Sequence, residues 1–525
     1  MKHIQVLDCT LRDGGYCNDC CFGFENEKKI ISGLLDANID IIECGFLTNT
    51  VEYNKDKTRF TSLEQVSKII PKDKCGKTFV LLTDYGKYNP DDLPACDGSS
   101  IDGLRVAFHK RNRFEALDDC KKIKEKGYKV FVQAMVSVSY TDKEFIDLIK
   151  KINEFEPFAF YIVDSFGMLK RKDLIRLFCL VEHNLKENIQ IGFHSHNNMQ
   201  LAYSNAQSLV ETQSERDLII DSSVYGMGRG AGNLNTELFV EYLNDYADGK
   251  YNLKPLFTII DEIINGFYQR NYWGYSLPNY LSASHNAHPN YARYLDDKNT
   301  LTFENMNEIF DMMNEEKKYS FDKDYIEKLY LRYMAKGMVQ NEHSKELKSA
   351  LCGKTVLLIA PGKSSNEEYQ KIANFAARDD VITVSVNFEY KKCNIDFIFL
   401  SNLRRFQNLA KDKKSKCIIT SNIPADNVYL QPEYRDLIND EDAVKDNAGL
   451  MAIKFFCDYG VTKVFLAGFD GYTYDVRENY CDKRMEFITR NAVLDAMNDV
   501  MTKVLGEYSK KMNIAFLTEP KHVII

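Results

Sequence analysis

Two histidines one residue apart, His194-Ser-His196, end the apolar run Ile189–Phe193 in a chain that has nine histidines in all. Side chains two apart on a strand leave it on the same side, so both imidazoles can face one point. Two neutral imidazoles and a carboxylate suit a divalent ion of borderline or hard character. Asp13, in Asp8-Cys-Thr-Leu-Arg12-Asp13-Gly-Gly-Tyr16, is the carboxylate nearest to hand. Arg12 beside it offers a cation that could hold a developing oxyanion through charge-assisted hydrogen bonds. An ion pair between Arg12 and Glu43 is the structural alternative, and the two roles are compatible. Other polar residues end or punctuate apolar runs in the same way: Glu43, Gln133, Asp164 and Ser165, with Gln133, Asp164 and Ser165 expected to face a substrate. The glycine-rich stretch Gly226-Met-Gly-Arg-Gly-Ala-Gly-Asn233 lets backbone approach a ligand closely, though glycines also merely turn a chain.

These residues gain meaning only if one architecture brings them together. Eight short β-branched or aromatic runs begin 25 to 39 residues apart: His3–Cys9, Ile39–Cys44, Thr78–Thr83, Gly103–Phe108, Lys129–Met135, Phe158–Asp164, Ile189–His194 and Leu218–Ser223. Helical periodicity fills gaps between them, as in Glu27–Ala37, Phe114–Lys126, Asp142–Phe155 and Met199–Glu211. Strands that alternate with helices pair in parallel, because a parallel neighbour needs a crossover. Eight such units predict an α/β fold with a closed (β/α)₈ TIM barrel, whose strand C-termini converge on one mouth. The polar residues named above all fall at or after strand ends, where that mouth would be.

Taken together, Leu11-Arg12-Asp13-Gly14, Glu43, His194-x-His196-Asn-Asn and Gly226-Met-Gly-x-Gly-Ala-Gly-Asn233 resemble the metal-dependent aldolase and lyase barrels. That group includes 4-hydroxy-2-oxovalerate aldolase, HMG-CoA lyase and the isopropylmalate and homocitrate synthases. The motifs stand in family order over roughly residues 1–300. The resemblance implies a divalent metal (Mn, Mg, Co or Zn) held by Asp13, His194 and His196, with Asn233 at the position that ligates in the lyase branch. It implies that Arg12 and the metal stabilise the enolate of a small-molecule 2-oxo acid as a C–C bond breaks or forms. The expected activity is aldol cleavage or formation of a 4-hydroxy-2-oxo acid or related sugar acid. A Claisen-type acyl-CoA synthase is the alternative, but it needs a CoA site that the sequence does not display. One departure matters: the oxovalerate aldolases carry a histidine base shortly after Arg-Asp-Gly, and this chain has Gly15 and Tyr16. A phenol of pKa near ~10 is a poor base unless perturbed. Tyr16, His109, His285 and His288 are the candidates for proton transfer.

From about Val240 the β signal fades into helical patterns such as Leu256–Tyr268 and Asp322–Met334, and a fresh α/β pattern opens at Thr355-Val-Leu-Leu-Ile-Ala360. The expected division is a barrel over 1–245, a helical appendage over 246–345 and a Rossmann-like domain over 350–525. In that last part Pro361-Gly362-Lys363-Ser364-Ser365 reads as a strand-to-helix turn whose free amides would suit a phosphate. Asp470, in Gly468-Phe-Asp-Gly471, ends a later strand. These two motifs are similar to Rossmann-like transferase domains of bacterial surface-glycan assembly, which implies a nucleotide or nucleotide-sugar near Gly362, Ser364 and Asp470 and a role in polysaccharide biosynthesis. A docking domain without chemistry is the other reading.

Composition sets the outer limits. With 525 residues, 44% hydrophobic and 27% charged, the chain has the balance of a folded multidomain protein. A formal charge of −8 with both signs interspersed argues against nucleic acid as a partner. No run approaches the roughly 18–20 apolar residues that cross a bilayer, and the amino end lacks a signal-peptide core, so a cytoplasmic, membrane-free protein is expected. A homo-oligomer is expected as well. The 14 cysteines mostly sit in apolar runs as small hydrophobes. The Cys17/Cys20/Cys21 cluster has one C-x-x-C spacing and no second to complete a zinc site.

Overall fold

The computed structural model describes residues 3–246, 249–335, 339, 341–409, 415–487, 489 and 491–524. Its amino-terminal half is a closed barrel of eight parallel strands: β1 (Ile4–Asp8), β2 (Ile41–Leu47), β3 (Thr78–Asp84), β4 (Gly103–Phe108), β5 (Lys129–Ala134), β6 (Ala159–Asp164), β7 (Gln190–Ser195) and β8 (Leu218–Ser222). Closure is made by β1, which pairs in parallel with β2 on one side and β8 on the other. A two-residue strand, Arg59–Phe60, lies outside the ring against the end of β2.

Every barrel strand is buried on both faces, and the two faces differ. Alternate positions such as Ile42, Phe79, Leu104, Val132, Ile162, Phe193 and Ile220 face the helices. Those helices are α1 (Phe24–Asp36), α2 (Arg113–Glu125), α3 (Asp142–Phe155), α4 (Arg171–Asn184), α5 (Ala202–Val210) and α6 (Thr236–Tyr246). Helix α3 shows why these segments form. Thr141 caps its first turn in a reciprocal box with Glu144, and Phe145, Leu148, Ile149 and Ile152 make one buried stripe. The other alternate positions of each strand point into the barrel. Leu7, Ile41, Val80, Phe131, Tyr161 and Ile219 form its interior apolar cluster. Gly192 leaves room for one of these: a Cβ there would sit 2.2–2.4 Å from the Tyr161 ring. One step further toward the mouth, the same inward parity carries polar groups: Glu43 on β2, Arg105 on β4, Gln133 on β5, His194 on β7 and Asp221 on β8.

A second sheet of six parallel strands follows: β9 (Thr355–Ile359), β10 (Val381–Val386), β11 (Phe397–Leu400), β12 (Cys417–Ile419), β13 (Lys463–Ala467) and β14 (Asn513–Phe516). Their order is β12-β11-β10-β9-β13-β14, so the winding reverses between β9 and β13. The first five fall on the apolar runs Thr355–Ala360, Val381–Val386, Asp396–Leu400, Lys416–Thr420 and Lys463–Ala467 that the sequence offers as strands, and β14 is additional. Residues Met1–Asn290 with Asn314–Phe321 make one compact unit, and Tyr291–Met313 with Asp322–Ile525 a second. This partition shares the helical stretch 246–345 between the two units. Among the described residues no helix is long and apolar enough to cross a membrane.

Candidate metal centre at the barrel mouth

The strand ends deliver Asp13, His194 and His196 to one point. His194 Nε2 lies 3.1 Å from Asp13 Oδ2 and His196 Nε2 3.5 Å from Asp13 Oδ1. The two imidazole rings stand nearly perpendicular, with centroids 5.2 Å apart. Among the described residues this is the one group of three His, Cys, Asp or Glu whose donor atoms converge within 4.8 Å. Asp13 Oδ1 is buried without a hydrogen-bond partner, as is Oδ1 of Asn233, whose backbone bridges to His196. A buried carboxylate, two imidazoles and an unsatisfied amide oxygen fit a divalent cation. The cysteine cluster is not such a site: Cys17 donates to the Gly228 carbonyl, Cys20 is buried and Cys21 faces outward.

Arg12 is tied down on two sides. Its Nε donates to Glu43 at 2.8 Å and its Nη1 to Asp13 at 2.7 Å, while Nη2 makes no hydrogen bond to the described residues. Burial opposes both charges. Even so, Glu43 and Asp13 hold the guanidinium pKa well above its usual range, and Arg12, then the two histidines, hold the Asp13 carboxyl well below its own. The pair is therefore a fixed cation and a fixed anion. Glu43 lies under Arg12 and is shared: its Oε2 also accepts from Arg105 Nη1 at 2.8 Å.

Arg105 and Asp221 belong to this network, and the sequence reading did not single them out. Arg105 is fully buried and donates to both Glu43 and Asp221. Asp221 in turn accepts from His194 Nδ1 at 2.9 Å, which fixes the ring so that Nε2 faces Asp13. The chain Arg12–Glu43–Arg105–Asp221–His194–Asp13 closes on itself through alternating charges. A charged residue at inward parity inside Gly103-Leu-Arg-Val-Ala-Phe108 and Leu218-Ile-Ile-Asp-Ser222 is the signal that could have revealed it.

A cavity of about 580 Å³ opens above these groups. Arg12, Asp13, Tyr16, Gln133, Ser165, His194 and His196 line it, as do His109, His288, Asp84 and Arg229, but His285 does not. Gln133, with its amide oxygen turned to Arg105, accepts from Nη2 at 3.2 Å. Ser165 Oγ accepts the Val136 amide, and both Asp164 oxygens accept backbone amides, from Met168 and Leu169. Asp164 therefore shapes the loop behind the cavity, away from the space a substrate would fill. The glycine-rich stretch folds on itself, with Asn233 donating to the Gly226 and Met227 carbonyls, and sends Arg229 over the Tyr16 ring at 4.3 Å. Tyr16 is partly exposed as a residue, yet protein crowds its hydroxyl and burial pushes the phenol up to about 12, away from the range of a base. Burial pushes His109 and His288 the other way, His288 to about 3, so both are neutral at neutral pH. His288 Nδ1 accepts the Asn290 amide, which leaves the proton on Nε2.

In the second unit, Gly362, Ser364 and Asp470 also meet, but around one another. Ser364 donates both its amide and its hydroxyl to Asp470. A Cβ on Gly362 would lie 2.3 Å from the Gly468 carbonyl and 2.7 Å from the Asp470 carboxyl. The carboxylate thus occupies the turn where a phosphate was expected, and Gly362 is needed for that close approach.

Residues 109–262 match the family described as HMGL-like. The 4-hydroxy-2-oxovalerate aldolase of Carboxydothermus hydrogenoformans is 29% identical over 274 residues, 50% of this chain and 77% of its own. That of Shewanella pealeana is 27% identical over 266 residues, with the same coverage of 50% and 77%. Among solved structures, the N-terminal domain of a Bacteroides vulgatus protein provisionally assigned as an aldolase matches 57% of this chain and 98% of its own. Its TM-score is 0.50 at 27% identity. These comparisons agree with the reading of the barrel as an enzyme of aldolase or lyase type.

Proposed function

We propose that the barrel cleaves, or in reverse forms, the C3–C4 bond of a 4-hydroxy-2-oxo acid or related sugar acid with the help of a divalent metal. The observation that carries this reading is the convergence of Asp13, His194 and His196 next to an Arg12 whose Nη2 is unspent, at the floor of one cavity. Asp13, His194 and His196 would hold the ion, which supplies Lewis-acid polarisation of the 2-oxo group when bound.

The chain's own groups divide the remaining work. His109, neutral and facing the cavity, accepts the proton of the C4 hydroxyl. The O–H electron pair becomes the carbonyl of the departing aldehyde, and the C3–C4 pair moves into the enolate of the 2-oxo acid. Arg12 Nη2 donates to that enolate oxygen and is already charged and oriented before the bond breaks. His288, with its proton on Nε2, donates to substrate oxygen and does not take part as a base. Protonation at C3, by the proton His109 has gained, then yields the 2-oxo acid.

The test is a metal-replete screen of the full chain against 4-hydroxy-2-oxo acids of varied length and hydroxylation, with release of pyruvate followed through a coupled dehydrogenase. Turnover that is lost on chelation and restored by Mn²⁺, Mg²⁺ or Co²⁺ is the expected result. Absence of turnover across the series in metal-loaded protein would overturn the reading.

A further inference from the structure

The barrel cavity holds more positive charge than a 2-oxo acid can match. At its floor and beneath it, the carboxylates of Asp13, Glu43 and Asp221 meet the guanidinium groups of Arg12 and Arg105. That leaves one negative charge over. A divalent ion on Asp13 and two neutral imidazoles would turn it into one positive charge, which the carboxylate of a 2-oxo acid cancels. The other charged residues of the lining are Lys87, Arg111 and Arg229 against Asp84. None of these four makes an ion pair among the described residues, so even with Asp84 ionised the cavity keeps an excess of positive charge.

Lys87 and Arg111 are exposed, and water and salt screen them. Arg229 is different, because it is half-buried and its surroundings hold it in place. On its C-terminal side the Ala231 amide donates to Asn198 Oδ1 at 2.9 Å, and Asn198 Nδ2 is itself spent on the Phe166 carbonyl. Gly230 has a φ of +66°, and a Cβ there would lie 2.7 Å from Asn198 Oδ1, so only glycine allows this approach. On the other side, a Cβ on Gly228 would lie 2.5 Å from Asn233 Nδ2. The backbone around Arg229 is therefore closely packed on both sides.

The side chain is placed as well. Its guanidinium lies over the Tyr16 ring at 4.3 Å, a contact that takes up the face of the group and leaves its edge donors free. It makes no hydrogen bond among the described residues. It is close enough to His288 to help keep that imidazole neutral, after burial. A positioned guanidinium with unspent N–H groups, in a cavity of positive excess, is a two-pronged receptor for a carboxylate or a phosphate.

We infer that Arg229 is a specificity-determining residue that binds an anionic group, carboxylate or phosphate, at the far end of the aldehyde half, so that the barrel selects dianionic substrates. The inference rests on the aldolase reading for the near end: Arg12 and the ion claim the 2-oxo group, which leaves Arg229 for the other.

Calorimetry on the Mn²⁺-loaded full chain tests this without turnover. The ligands are 2-oxo acids of equal length with and without a distal anion: 2-oxopentanoate with 2-oxoglutarate, 2-oxohexanoate with 2-oxoadipate, and 2-oxo-3-deoxygluconate with its 6-phosphate. In at least one pair the dianion is expected to bind about 10–100-fold more tightly, the worth of hydrogen bonds between charged groups. The preferred pair tells carboxylate from phosphate, and the preference should shrink as salt is raised. Arg229→Gln should bring the ratio near one with metal content unchanged, and Arg229→Lys should restore only part of it. The third pair is also assayed for pyruvate release, where Arg229→Gln should raise KM for the phosphorylated member far more than it lowers kcat. Binding preference without pyruvate release would leave the Arg229 inference standing and count against the aldolase reading. Pyruvate release without any preference would do the reverse. The inference is also overturned if the preference survives Arg229→Gln. Equal losses for both members of a pair would overturn it too, since they would put Arg229 on the carboxylate that the two share.

Discussion

Arg12 and His194 are each braced from behind by a carboxylate that does not line the cavity, Glu43 and Asp221 respectively, and this separates two kinds of substitution. Arg12→Ala removes the proposed oxyanion donor while leaving both imidazoles in place, so metal content should persist and turnover should fall by about 10²–10³-fold. Metal analysis and steady-state kinetics on the same preparation check it, and near-normal turnover would reduce Arg12 to a partner of Glu43. Asp221→Asn acts one step further back. It keeps the shape but weakens the hold on His194 Nδ1, so metal affinity should drop by about 10–100-fold, as for other residues that orient a ligating histidine. Equilibrium dialysis would show it, with His196→Ala as the full-loss reference. The histidine pair was legible because a two-residue period on a strand is a local property of the sequence. Arg105 and Asp221 were not, because their meaning depends on a partner far along the chain. Asp164 misled for the same reason: its place at a strand end is visible, but the amides of Met168 and Leu169 that claim it are not.

At the level of elements, strands were easier to read than the spaces between them. Each barrel strand combines a β-branched or aromatic run with a polar end, and the boundaries agree within a few residues. β14 was missed because Asn513-Ile-Ala-Phe516 is short and partly exposed. Packing inside the barrel yields a stability prediction. Gly192→Ala drives a methyl into the Tyr161 ring and should cost about 1–3 kcal/mol in chemical unfolding. Adding Tyr161→Leu should recover part of the loss, a non-additivity expected only of residues in contact. Helix α1 yields one that depends on pH. Glu27 is buried in that helix with neither carboxyl oxygen bonded, and burial, then Asp56, pushes its pKa to about 8. The folded state favours the neutral acid, so its stabilising contribution is complete below the unfolded value near ~4.5 and is lost as pH rises to about 8. Across that window the wild-type barrel should lose up to about 1.4 kcal/mol per pH unit relative to Glu27→Gln, which cannot ionise. Unfolding midpoints of the two proteins should therefore diverge between pH 5 and 8 and run parallel above it. Equal slopes would mean that water reaches the carboxylate.

Across the whole molecule, the change of pattern near residue 350 is real but is not where the compact units divide. The chain passes between them at Asn290/Tyr291, Met313/Asn314 and Phe321/Asp322. Periodicity could not show this, because helices of either unit look alike in sequence. Met306, Phe310, Ile326 and Tyr330 are buried within the second unit, where Tyr330 donates to Asp446. A chain ending at residue 345 should therefore expose them, bind a hydrophobic dye strongly and aggregate. A monodisperse, dye-silent fragment would instead show that these helices can close without the second sheet.

The passage through Asn314–Phe321 also sets an order of events during synthesis. Strand β8, and with it Asp13, His194 and His196 in their barrel, is complete at Ser222, but the wall of the mouth includes His288 and Tyr319. Tyr319 leaves the ribosome about 100 residues later, after a segment destined for the other unit, which at about 5–20 residues per second is a delay of roughly 5 to 20 seconds. During that interval the nascent barrel could take up the ion proposed for Asp13, His194 and His196 before it can enclose a substrate. Each molecule would be loaded first and walled in afterwards.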